Sequence, residues 1–293
     1  MRVLIFGATG MLGHKLVQLG KSRHELAATV RGNAADYARV EALSGAHLIS
    51  GVEATQIDSA AEALDYWKPS VAINCIGIIK QRPEISDVVA AISVNGLFPH
   101  QVAQFCNSRG IKLIQFSTDC VFSGRRGNYT EDDPPDPLDL YDRTKLLGEV
   151  TGPGCLTLRT SVIGRELGGG KSLLEWFISQ KGKRVKGYAG SIYSGLTTNS
   201  MAVLIYRLLD EQIDLDGLWH VSSNPISKYD LLNLINEIYG LGITIERDEQ
   251  VRCDRSLVSN RFRDRVGFQP EEWRDMIAEM HADATYYMRE SNA

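Results

Sequence analysis

The chain has 293 residues, 43% hydrophobic and 23% charged, with a net charge of −4. That length suits one large domain with a smaller lobe, and the acid excess removes the electrostatic case for nucleic acid or an anionic membrane as partner. No apolar run is long enough to span a bilayer, and the N-terminus enters a strand and a Gly-rich turn without the order of a signal peptide, so a cytoplasmic protein is expected.

The first half alternates strands with helical patterns. Arg2 to Phe6 is a continuous apolar run, as a buried parallel strand requires. A helix is predicted over Met11 to Leu19, a strand over Glu25 to Val30, a helix over Tyr37 to Leu43, and a short strand over His47 to Ile49. Ala60 to Trp67 reads as a helix, Ser70 to Ile76 as a strand, and Val88 to Cys106 as a helix with an irregularity at Pro99. Lys112 to Phe116 is a fifth strand. Ser123 to Pro137, rich in Gly, Pro and Asp, is a long loop. A helix over Tyr141 to Val150 and a strand over Cys155 to Arg159 follow.

Gly168 to Gly170 marks a hinge or boundary, beyond which the pattern loosens. Helices are expected near Ser172–Gln180, Asn199–Leu209, Lys228–Tyr239 and Glu271–Tyr287, with short strands near Val185 and Trp219. The alternation implies an α/β fold: a Rossmann-type doubly wound parallel sheet with a smaller C-terminal substrate-binding lobe. The expected partition is a dinucleotide-binding domain over 1–165 with a return segment near 190–222, and a smaller lobe over 166–189 and 223–293. The five cysteines show no Cys-x-x-Cys spacing and the six histidines no His-x-x-x-His pair. Reduced thiols are expected, with neither a disulfide framework nor a protein-bound metal.

Gly7, Gly10 and Gly13 follow the first strand and open the first helix, where free N–H groups and the helix dipole favour a pyrophosphate. The end of the second strand decides between cofactors: an acid binds a ribose diol, a base a 2′-phosphate. Here Val30-Arg31-Gly32 offers Arg31 and no acid, so NADP(H) is expected, with NAD(H) as the alternative. Tyr141 and Lys145, four apart on a helix, share a face. A phenol is a poor acid–base group at neutral pH unless a cation stabilises its phenolate, which Lys145 and an oxidised nicotinamide would do. Thr118, at a strand end, can hold a carbonyl oxygen. These are the parts for hydride transfer to a ketone.

Gly7–Gly13 (GATGMLG), Phe116–Gly124 (FSTDCVFSG) and Tyr141–Glu149 (YDRTKLLGE) together resemble the extended short-chain dehydrogenase/reductases, and within them the dTDP-4-dehydrorhamnose reductase family. Asn74–Gly77, Asn95 and Leu158–Ser161 match as well. The likeness covers nearly the first two thirds of the chain and is loose beyond. It implies a catalytic Thr118–Tyr141–Lys145 triad and NADPH-dependent reduction of a keto group, at C4, of a nucleoside-diphosphate deoxysugar in surface-polysaccharide or related sugar biosynthesis. The cofactor-contacting set it implies is Gly7, Thr9, Gly10, Met11, Leu12, Gly13, Arg31, Val52, Cys75, Ile76, Gly77, Asn95, Ser117, Tyr141 and Lys145. Substrate contacts are expected from Thr118, Asp119, Cys120, Lys171, Thr198, Arg252 and Arg255, with Arg255 leading for the diphosphate.

Cys120 stands where that family has a Tyr, Val162 where it has a Trp, and Ser191–Thr198 replaces its Pro-Thr-Tyr loop, all where sugar recognition is expected. The dehydratase relatives carry a second carboxylate after Thr-Asp, where this chain has Cys120. A nucleotide-sugar epimerase and a non-catalytic dinucleotide-binding regulatory subunit are the alternatives. The expected partners are a small-molecule nucleotide-sugar and at most a second copy of the chain, as a homodimer, with neither nucleic acid nor membrane.

Overall fold

The computed structural model describes residues 1–168, 170–283 and 287. β1 (Arg2–Phe6) shows why the sheet has helices on both faces. Its alternate side chains enter two separate cores, Val3 and Ile5 one and Leu4 and Phe6 the other, because successive strand residues point to opposite sides. Beside β1 lie β2 (Glu25–Thr29) and β3 (His47–Ile49). On its other side come β4 (Val71–Asn74), β5 (Lys112–Thr118) and β6 (Cys155–Thr160). β7 (Val162–Ile163) and β9 (Leu196–Thr197) form a separate pair, β8 (Arg184–Tyr193) belongs to a second sheet, and β10 (Gly217–His220) returns to the edge of the first. The seven strands run β10-β6-β5-β4-β1-β2-β3, every pairing parallel. The chain reverses its direction of travel between β1 and β4, and the crevice beyond the carboxyl ends of those strands is where such sheets bind ligands.

α1 (Gly13–Gly20) contributes Leu16 and Val17 to the first core. α2 (Ile57–Trp67) brings Leu64 to the second. α3 (Val88–Ala91) runs through a π-helical turn at Ile92–Leu97 into α4 (Phe98–Ser108), which carries Phe98 and Val102 into the second core. The irregularity expected at Pro99 thus falls just before it. Pro99 itself occupies the first turn of α4, where its missing N–H breaks no helical bond. α5 (Leu140–Leu147) follows the long loop and α6 (Leu173–Ile178) the glycine run; α7 (Thr198–Asp210) returns to the first core with Leu204, Ile205 and Tyr206.

The second sheet has the order β11-β8-β12, with β11 (Ile226–Ser227) and β12 (Thr244–Asp254) flanking β8. α8 (Lys228–Tyr239) packs on β8 and on α10 (Trp273–Ala282), while α9 (Asn260–Val266) lies against β10. The long loop is tied to this region: Asn128 N donates to Ser256 Oγ at 2.8 Å and Tyr129 N to the Ser256 carbonyl at 2.9 Å. Among the described residues no helix is long and apolar enough to cross a membrane.

Three expectations change. Tyr37 to Leu43 is not a helix but parts of two 3₁₀ turns, Ala34–Tyr37 and Glu41–Leu43, of which only Ala42 and Leu43 are buried; a single turn's worth of buried surface does not repay helix nucleation. The strand near Val185 extends ten residues, to Tyr193. β12 was not legible at all: its eleven residues are mostly exposed and heavily charged, so they carry no apolar alternation. Of the helix expected over Glu271 to Tyr287, Trp273–Ala282 is observed; 284–286 and Gly169 lie outside the described residues.

Candidate active site

The three glycines after β1 are required for three different reasons. Gly7 has φ +83°, a conformation that L side chains rarely adopt, and its N–H donates to Thr29 Oγ1 at 3.1 Å. A Cβ on Gly10 would stand 3.3 Å from the Gly7 carbonyl oxygen. One on Gly13 would collide with that same oxygen, so α1 can pack this closely against the strand end only as glycine. His14 Nδ1 donates to the Gly10 carbonyl at 2.8 Å and steadies the turn. The first turn of α1 carries no acidic residue and its N-cap makes no side-chain bond, leaving the helix end open to an anion.

A cleft of ≈ 360 Å³ opens over this turn. It gathers Gly7, Thr9, Gly10, Arg31, Val52, Cys75, Ile76 and Gly77, eight residues of the expected cofactor set that are spread over 71 positions of sequence. Arg31 is exposed and makes no ion pair among the described residues, Asp36 included. Leu12 is buried in the first core, so only its backbone is available. The Asn95 side chain is taken up by protein: Oδ1 accepts from Ile78 N at 2.8 Å, and Nδ2 donates to the Ile78 carbonyl at 3.0 Å and to Thr144 Oγ1 at 3.3 Å. It holds the loop after β4 against α5 rather than facing the cleft. Thr29 and Arg82 also line the cleft and were not read from the sequence.

Next to this cleft, the end of β5 meets α5. The Tyr141 phenol lies beside Thr118; Thr118 Oγ1 donates to Asp119 Oδ1 at 3.2 Å and accepts from Cys120 N at 3.1 Å. Lys145 Nζ donates to the Phe116 carbonyl at 2.7 Å. Asp139 caps α5 by accepting from Asp142 N at 2.9 Å, and a Cβ on Gly148 would strike the Asn95 carbonyl oxygen; these two contacts fix the helix that carries Tyr141 and Lys145. Burial raises the Tyr141 phenol well above its ordinary range, with the Cys120 thiol adding to the shift, so the group is held as an acid. Burial pushes Lys145 down to about 8, with Glu149 opposing. Cys120 is pushed up to about 12 by burial and then by Asp119, which leaves a neutral thiol and not a nucleophile. Asp119 is raised, first by burial, with Arg255 opposing.

The expected substrate residues divide. Thr118, Asp119, Cys120 and Arg255 converge beside Tyr141. Arg255, however, is already engaged: Nη1 donates to Cys120 Sγ at 3.1 Å and Nη2 to Asp142 Oδ2 at 3.4 Å. The fully buried Asp142 also pairs with Lys80 at 2.5 Å, and Lys80 lies 5.5 Å from the centre of the Tyr141 ring. Neither acid nor lysine stood out in the sequence, because a surface charge pair and a buried one look alike there. Thr198 is completely buried under Gly164, where it packs instead of facing a ligand. Lys171 and Arg252 are exposed and without ion pairs among the described residues.

The model of the family described as RmlD substrate binding domain matches residues 1–286. The chain belongs to that family. The match runs through the C-terminal third, where the motifs alone gave only a loose likeness. Among its curated relatives, the chain is 26% identical to the spore coat polysaccharide biosynthesis protein SpsK of Bacillus subtilis, over 95% of this chain and 96% of that one. It is 30% identical to the probable low-salt glycan biosynthesis reductase Agl14 of Haloferax volcanii, over 70% of this chain and 71% of the relative. A crystal structure of dTDP-4-dehydrorhamnose reductase from Bacillus anthracis in complex with NADP superposes with a TM-score of 0.78 at 20% identity, over 96% of this chain and 99% of that one. At that identity the RmlD likeness in coordinates speaks for the fold.

Proposed function

We propose that the protein reduces a keto group, at C4, of a nucleoside-diphosphate deoxysugar with NADPH, in the cytoplasm, in surface-polysaccharide or related sugar biosynthesis. The observation that carries this reading is the convergence of Thr118, Tyr141 and Lys145 at the carboxyl end of β5, beside a cleft floored by the three-glycine turn. The names of the relatives, a glycan biosynthesis reductase among them, support the substrate class. The turn fits a dinucleotide: it is a cradle that a side chain at Gly7 or Gly13 would fill, over a helix end without acids.

Bound there, NADPH would supply the hydride. Thr118 and Tyr141 hydrogen-bond the carbonyl oxygen. Tyr141, kept protonated by burial, gives its proton to the forming alkoxide, and the Lys145 ammonium stabilises the phenolate left behind. Arg31 at the rim takes the adenosine 2′-phosphate. The division into a dinucleotide domain over 1–165, with a return near 190–222, and a substrate lobe over the remainder belongs to this proposal. So do the substrate roles of Asp119, Cys120, Lys171, Arg252 and Arg255, while the buried Thr198 drops out of the set. Arg252, exposed and without an ion pair among the described residues, is a better candidate for a phosphate than the engaged Arg255. A screen of 4-keto sugar nucleotides, followed by NADPH loss at 340 nm in the ~1–10³ s⁻¹ range usual for enzymes, is the direct test. Turnover with a nucleotide-linked keto sugar is expected. Absence of any turnover, with tight NADPH binding retained, would replace the enzyme with a non-catalytic subunit.

A further inference from the structure

Glu149 follows the end of α5, four residues past Lys145, with its side chain only 9% exposed. Both its oxygens are in use. Arg159 of β6 donates through Nε to Oε1 at 2.7 Å and through Nη2 to Oε2 at 2.8 Å, and Ser117 Oγ donates to Oε1 at 2.6 Å. Ser117 is the residue after Phe116, whose carbonyl receives the Lys145 ammonium at 2.7 Å. Two adjacent residues at the end of β5 are therefore bound by Lys145 and Glu149 of one segment. Arg159 is itself 96% buried by its side chain and reaches His220 Nε2 at 3.3 Å. A buried ion pair of this kind is a weak device for stability alone, since an apolar pair of the same shape often does as well. Its placement behind the site suggests another use.

We propose that Glu149 is a positioning residue for the reaction: it latches α5 to the end of β5 and so seats a charged Lys145 amine on the face it shares with Tyr141. This rests on the keto-reductase reading. The charged and titratable groups around Lys145 are few. On its own segment stand Tyr141 and Glu149. Across from it, at the end of β4, is Cys75, whose thiol burial keeps uncharged. β5 offers only the Phe116 carbonyl and the Ser117 hydroxyl. Arg159 of β6 lies behind Glu149, and beyond it His220 of β10 is held neutral, lowered to about 4 by burial and then by Arg159. Glu149 is thus the carboxylate that works against the desolvation of Lys145.

The test uses the full chain and two substitutions of opposite sense. Glu149→Gln keeps the shape and removes the charge. It is expected to move the alkaline limb of the kcat profile down by about one pH unit, which lowers kcat about twofold at neutral pH and about tenfold well above pH 8, with NADPH affinity at pH 6 unchanged. Arg159→Met leaves the carboxylate and removes its partner, and is expected to move the limb up. Rate losses in both variants with the limb unmoved, or moved the same way, would reduce Glu149 to a structural support and overturn the proposal. Should Glu149→Gln fail to fold by circular dichroism, Glu149→Asp, which keeps the charge but withdraws it from Ser117, is expected to lower kcat and shift the limb down by less; an unmoved limb there overturns the proposal as well. If the wild type turns over no keto-sugar nucleotide, the reductase reading fails by itself. The pH dependence of NADPH binding, followed by nicotinamide fluorescence, then carries the same two expected shifts and the same contrary result.

Discussion

The dinucleotide half and the C-terminal lobe were built under different constraints, and they differ in how each declares itself. In the first, backbone geometry dictates residue type: a φ of +83° at Gly7 and contact with a carbonyl oxygen at Gly13 leave glycine as the only choice. In the second, β12 lies mostly exposed on a small sheet, and Arg252 on it is tied to no partner among the described residues. Chemistry common to many ligands is written in positions that tolerate nothing else. Recognition of one ligand is written in positions that tolerate much.

If that contrast is right, perturbations should grade accordingly. The largest effect belongs to Gly13→Val, which forces helix α1 off the end of β1. NADPH binding should fall below detection by fluorescence titration, with a drop in Tm, since overpacking of a tight contact costs roughly 1–3 kcal/mol or more. Retention of normal affinity would show that the turn is not the pyrophosphate seat. Arg31→Asp comes next. It replaces attraction for the 2′-phosphate by repulsion, and NADPH affinity should fall about ten- to a hundredfold, with NADH little changed. An unchanged NADPH-to-NADH ratio would move the selectivity elsewhere in the cleft, where Arg82 also lines the wall.

The pH profile should sharpen the same contrast. Lys145 has its proton affinity lowered by burial to about 8, so its charge is present below that pH and lost above it. The rate should therefore decline about tenfold per unit above pH 8. A profile flat to pH 10 would mean that the Lys145 charge is not needed. The smallest effect is expected from Arg252→Ala: about a threefold loss in kcat/KM for a nucleotide-sugar, the scale of an exposed charge contact, and none in NADPH affinity. A loss of a hundredfold there would break the contrast and make the lobe as exacting as the cofactor half.

Much of the fold was legible because the parallel strands are buried on both faces and read as apolar runs, β1 and β4 above all. The glycine turn, Arg31 and the Thr118–Tyr141–Lys145 set stood out as candidates because of their spacing and their place after strands, and the fold brings them to one end of the sheet. β12 stayed hidden since its exposed residues carry charge without alternation. Asp142, Lys80 and Glu149 were missed for a related reason: burial of a charge is decided by partners that are distant in sequence, such as Arg255 and Arg159. The engagement of Arg255 with Cys120 and Asp142 is likewise visible only in the folded chain.

The central claim, that this site reduces a ketone by proton donation from Tyr141, is tested most directly by Tyr141→Phe. That change removes one oxygen, the hydroxyl beside Thr118, and little volume. Single-turnover NADPH oxidation with an active keto-sugar nucleotide should be measured in wild type and variant, with cofactor affinity measured alongside. A rate lowered on the order of 10²–10⁴-fold with NADPH affinity nearly intact is the predicted result. An undiminished rate would contradict the account, whatever else the protein binds.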